Sequence, residues 1–182
     1  MAGAALILPF LPMLPIQVLL NNLLYDFSQI AIPFDRVDPE DTARPTRWNV
    51  KLIERFMLVF GPASSIFDFL TFYALIRLFD AGETLFHTGW FVESLATQVL
   101  VVLAIRTRRP LFQSRPHLFL GGLALAIVAL GIGLPYMPLA RWLGFIALPS
   151  TFFLYLAAAV SAYLVVVEGA KQVFYRLYDG RA

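Results

Sequence analysis

The sequence has no cysteine, which excludes disulfides and thiolate metal sites. It is also poor in charge. Asp, Glu, Lys and Arg make up 14% of its 182 residues, where a soluble domain carries about a quarter. The net charge of +2 is too small for a nucleic-acid footprint, so no nucleic-acid partner is expected. Met1 to Ala5 lack the charged start of a secretory signal. There is no Ser–His–Asp set, no zinc-ligand spacing and no phosphate-binding glycine loop. The two histidines, His87 and His117, fall at opposite membrane faces in the expected topology, so they do not form one metal site.

What the chain does have is apolar length. Its hydrophobic fraction is 59%, it holds 17 Phe, and its mean hydropathy is +0.74. A membrane-spanning helix takes about 20 mostly apolar residues. Five runs qualify, at 15–33, 56–79, 86–105, 118–134 and 148–167. An apolar stretch at 4–14 is too short to span and is interrupted by Pro9 and Pro12, so it reads as the end of a helix. The expected fold is all-α: one membrane domain over 1–182, a polytopic bundle of five spanning helices preceded by a partial helix, with a polar loop at 35–51.

Lys and Arg set the orientation, because acids contribute little to the positive-inside rule. Arg36, Arg44, Arg47, Lys51 and Arg55 fall on one side, with Arg106, Arg108, Arg109, Arg115, Lys171, Arg176 and Arg181. Only Arg77 and Arg141 fall on the other. The 35–51 loop, the Arg-rich loop and the C-terminus are therefore expected in the cytoplasm of a multi-pass protein of the inner membrane. Trp90, Tyr136, Trp142 and Tyr175 are expected at the interfaces.

Ionisable groups inside a bilayer are functional candidates by default, because each costs a few kcal/mol to insert. Asp26 stands mid-run with Asn22 one turn earlier on the same helix face. A carboxylate and an amide oxygen at that spacing suit a hard cation. They equally suit hydrogen bonds that only hold a bundle together, and spacing alone does not choose. Asp68, Glu93 and Gln98 are weaker metal candidates. Glu93 is expected near the outer end of its helix, within reach of water. The small residues Gly61, Ala63, Ser64 and Ser65, the pair Gly121–Gly122, and Gly131 and Gly133 are expected to mark close helix packing.

Several stretches are not generic. Phe10-Leu11-Pro12-Met13-Leu14-Pro15, Asn22-Leu23-Leu24-Tyr25-Asp26, Ile32-Pro33-Phe34-Asp35 and Arg47-Trp48-Asn49 are followed by Gly61-Pro62, Ser64-Ser65-Ile66-Phe67-Asp68, Gly89-Trp90-Phe91-Val92 and Ile105-Arg106-Thr107-Arg108-Arg109. In this order and spacing the chain resembles the C-terminal membrane region of bacterial magnesium-transporting P-type ATPases. The resemblance implies that the five spans are the sixth to tenth helices of a pump. It implies that Asn22 and Asp26 match the Asn and Asp of the sixth helix that contact the transported cation, here Mg2+. The later helices would mainly scaffold, and the 35–51 loop would meet the phosphorylation domain.

The Asp-Lys-Thr-Gly motif of such a pump is absent. The chain is accordingly expected to be a fragment or a separately encoded part without ATPase activity of its own. ATP would act through domains outside it, and its partners would be the lipid bilayer and the rest of the pump. The rival expectation is a non-catalytic membrane fragment or partner subunit whose polar residues are structural. An independent small channel or carrier is disfavoured by the lack of inverted symmetry.

Overall fold

The computed structural model describes residues 8–36, 50–110 and 113–178. Five α-helices follow one another: α1 Pro15–Gln29, α2 Val50–Arg77, α3 Glu83–Ile105, α4 Leu118–Gly133 and α5 Ser150–Tyr178. Short 3-10 turns lie at Ile32–Phe34, Leu134–Tyr136 and Pro138–Arg141, and no strand occurs among the described residues. Four segments are long and apolar enough to cross a membrane: Ile53–Arg77, Glu83–Ile105, Leu118–Tyr136 and Ser150–Arg176. The expected count of five differs by α1. Its 15 residues give roughly 22 Å of helix against a hydrocarbon layer of about 30 Å.

Prolines explain both limits of α1. Pro15 occupies the first turn, where its missing N–H is not needed, and the Gln17 side chain accepts the Leu14 N–H at 3.2 Å. At the other end Pro33 disfavours helix at Ile32, and the chain tightens into a 3-10 turn. The expected partial helix at 4–14 is corrected over its described part. Residues 8–14 form bends and extended chain rather than helix, because Pro9, Pro12 and Pro15 recur too closely for helical hydrogen bonding. Most of the expected cytoplasmic loop, 37–49, lies outside the described residues.

The centre of the bundle is α3, which packs against α1, α2, α4 and α5. Two-thirds of its membrane window (67%) is buried, against 28% for each of the other three spans. Phe86, Phe91, Leu95 and Val99 carry this core. Gly89 lets α2 and α5 close on α3: a Cβ there would lie 2.6 Å from Leu75 and 3.3 Å from Phe152. Gly131 of α4 does the same against Leu95. Ser64 of α2 likewise meets Tyr163 of α5 at 2.7 Å, but the other expected glycine contacts are corrected. Gly61 and Gly122 face open space, Gly121 meets only Pro116, and Gly133 meets only Met137 of the following turn. Met57, Leu58, Ile66, Leu154 and Val165 point outward, as apolar side chains facing lipid tails do at no cost.

Two residues expected at the periphery lie inside. Trp90 is 4% exposed and packs edge-on to Phe72. Lys171, counted among the cytoplasmic bases, is fully buried. Its Nζ donates to the carbonyls of Ala104 and Arg109, both at 2.8 Å, and lies 2.8 Å from Glu168. The ammonium thus caps the end of α3 from one helix away, where its charge complements the negative end of the helix dipole.

Candidate functional site

The segment containing α1 runs alongside α3 and α4 and is fixed at both ends. At one end the Leu11 carbonyl lies 2.6 Å from Nε2 of His87, in the first turns of α3. There too the Gln17 amide donates to the Leu143 and Gly144 carbonyls at 3.0 and 3.1 Å. Gly144 has φ of +71°, a left-handed conformation that glycine adopts without strain, and it packs directly against Leu14. At the other end Asp35 forms a 2.6 Å ion pair with Arg106 at the close of α3 and accepts the His117 N–H at 2.9 Å at the start of α4. Burial alone would raise the Asp35 carboxyl. The His117 and Arg36 backbone N–H groups and the Arg106 guanidinium outweigh it and hold the group below its ordinary 3.8.

Between these ties the two faces of α1 differ. Gln17, Asn21, Leu24 and Ser28 are buried against the bundle. Asn22 and Asp26 lie on the opposite, exposed face, one helical turn apart. Because α1 ends at Gln29, Asp26 stands in its last turn rather than mid-helix. A carboxylate at the negative end of a helix dipole is electrostatically unfavourable alone and favourable once a cation joins it.

The three weaker candidates converge elsewhere. Asp68 of α2 and Glu93 and Gln98 of α3 line one cavity of about 170 Å³, with Tyr25 of α1 and Ser64 and Tyr163 also in its wall. Asp68 Oδ1 accepts from Trp90 Nε1 at 3.1 Å, and the Gln98 amide donates to Ser94 Oγ at 2.6 Å. Ser64 and Tyr163 share a 2.7 Å hydrogen bond. Glu93 contradicts its expected place. It sits near the middle of α3 because that helix begins at Glu83, and neighbouring helices leave it 1% exposed. Its Oε2 has no hydrogen-bond partner, nor does Oδ1 of Asn21, whose amide reaches Ser94 Oγ at 3.4 Å. Asn22 and Asp26 do not line this cavity.

Sequence reading missed Asn21, Ser94 and Tyr163. The i,i+4 spacing of Ser94 and Gln98 is the one local signal that they act together. No group of three or more His, Cys, Asp or Glu is placed to hold a metal among the described residues. Any cation bound here would rely on amide, hydroxyl and water oxygens beside one or two carboxylates.

Comparison with known proteins shows the family. The family model described as cation transporting ATPase, C-terminus, matches residues 10–173. The chain is 47% identical over 180 residues to a magnesium-transporting ATPase, P-type 1, of Salmonella typhimurium strain 14028s, covering 96% of this chain and 20% of that protein. It is 46% identical over 180 residues to the protein of the same name from Escherichia coli K12, with the same coverage. A further protein of that name from Salmonella typhimurium LT2 is 42% identical over 183 residues, again covering 96% of this chain and 20% of the relative. The chain therefore spans about a fifth of the length of the curated relatives it matches.

Proposed function

This chain belongs to the C-terminal family of cation-transporting ATPases, and on that premise we propose that it forms the C-terminal membrane part of a P-type pump carrying Mg2+ across the bacterial inner membrane. The observation that carries the reading is the exposed Asn22–Asp26 face of α1. A carboxylate facing outward from a membrane bundle needs other protein or a cation against it. Helices from the rest of the pump would cover this face, and Asn22 and Asp26 would supply two oxygen ligands to a partly hydrated Mg2+. That ion sheds water reluctantly and is usually held by few protein ligands.

In this reading α1 is the fifth crossing. Its own length falls short, but the segment from Leu11 to Asp35 extends from the first turns of α3 to its last. The remaining helices act as scaffold, with α3 as the post. The C-terminus and the 35–51 loop face the cytoplasm, following the Lys and Arg bias. ATP hydrolysis belongs to domains outside this chain, and conformational change there would open and close the cation face. Asp26→Asn in the complete pump is the test. Loss of Mg2+ transport with normal membrane insertion is expected, and unaltered transport overturns the assignment.

A further inference from the structure

We propose that the cavity between α2, α3 and α5 is a second site for a hard divalent cation, separate from the Asn22–Asp26 face. Every donor it offers is an oxygen or can turn one inward. Asp68 and Glu93 provide carboxylates, Gln98 an amide, and Ser64, Tyr25 and Tyr163 hydroxyls. That chemistry selects ions of the Mg2+ and Mn2+ type over soft metals. Two carboxylates match a double positive charge, so the loaded site is neutral in a low-dielectric interior, where an unbalanced charge is expensive.

The size also fits. A cavity of about 170 Å³ has room for several waters, and so for an ion that keeps part of its shell. A purely structural network satisfies its members. Here Asp68 is partly held by Trp90 and Gln98 by Ser94, yet the buried Glu93 Oε2 is left with no partner. Tyr25 also lines a larger cavity of about 480 Å³ beside Gln29, Asp35, Arg36 and Arg106, near the helix ends. It is the wall common to both.

Trp90 gives this site its own reporter, because its indole N–H is bonded to Asp68. The experiment uses the full chain in lipid nanodiscs with Trp48→Phe and Trp142→Phe, leaving Trp90 as the only tryptophan, and Mn2+ as the probe. Saturable quenching of Trp90 emission, reversed by excess Mg2+, is expected. Glu93→Gln should raise the half-saturating Mn2+ about tenfold or more, and Asp26→Asn should leave the curve unchanged. Absence of saturable quenching, which would assign the cavity to protons or water, overturns the proposal. So does a curve insensitive to Glu93→Gln, or one abolished by Asp26→Asn. Circular dichroism checks the fold of each variant. If Glu93→Gln does not fold, Asp68→Asn is judged by the same criteria. Normal transport by an Asp26→Asn pump would remove the α1 reading and leave this site standing.

Discussion

Asp35 and Arg106, 71 positions apart in the chain, meet at 2.6 Å where α3 ends, and the same carboxylate accepts the His117 N–H that opens α4. This one contact ties the exit of α1 to two helices. Removing Asp35 leaves a largely buried guanidinium with the Ser114 oxygens but no counter-charge in this pair. Asp35→Ala should destabilise the bundle by about 3 kcal/mol, read as unfolding in a mixed-detergent titration. Replacing both residues with apolar ones of similar size should cost less than either single change.

The same pair gives a pH dependence. The Asp35 carboxyl is held below its ordinary 3.8, so its contribution to stability is present above that value and is lost as the pH falls through the lower, folded value. Melting temperature measured in detergent should fall as the solution is acidified below about pH 4, and more steeply for the wild type than for Asp35→Asn. Parallel curves for the two would remove Asp35 as the cause.

Lys171 is the second long-range tie. Its ammonium is fully buried against the Ala104 and Arg109 carbonyls and Glu168. Lys171→Met removes the buried ammonium that bonds the Ala104 and Arg109 carbonyls and pairs with Glu168. A loss of about 3 kcal/mol is expected in the same titration. Lys171→Arg should not restore it, because a planar fork does not fit a site built around a compact ammonium.

Glycines separate crowded from open positions. Gly89→Ala would press a methyl into Leu75 and Phe152, both without exposed surface, and should cost about 1–3 kcal/mol. Gly122→Ala meets nothing within 4 Å and should be neutral or mildly stabilising. Thermal melts of the two variants side by side test the packing directly.

These ties also show what a sequence can and cannot carry. Apolar run length located α2 to α5, because a helix in lipid must satisfy its own backbone and so needs an unbroken stretch. The Asn22–Asp26 spacing was legible because it is local to one turn. Glu93 and Lys171 were not, since burial depends on which neighbours arrive. Run length places Glu93 close to water, whereas α3 begins at Glu83 and carries it to mid-helix; it places Lys171 in the tail, whereas α5 continues to Tyr178. Trp90 resembled an interfacial aromatic because its bond to Asp68 links positions 22 residues apart. The convergence of Asp68, Glu93 and Gln98 depends on how α2 meets α3, which periodicity does not encode. The Gly121–Gly122 pair misled in the opposite sense, since small residues permit close approach but do not say from which side a partner comes.

The central claim is that the outward face of α1 binds the transported ion. The most direct measurement is the rate of Mg2+ transport by the complete pump against Mg2+ concentration, for the wild type and for Asp26→Asn. The predicted result is a rise of about tenfold or more in the half-saturating concentration, or loss of transport, with the protein still folded and in the membrane. Superimposable curves would contradict the account and leave Asn22 and Asp26 as structural groups of the bundle.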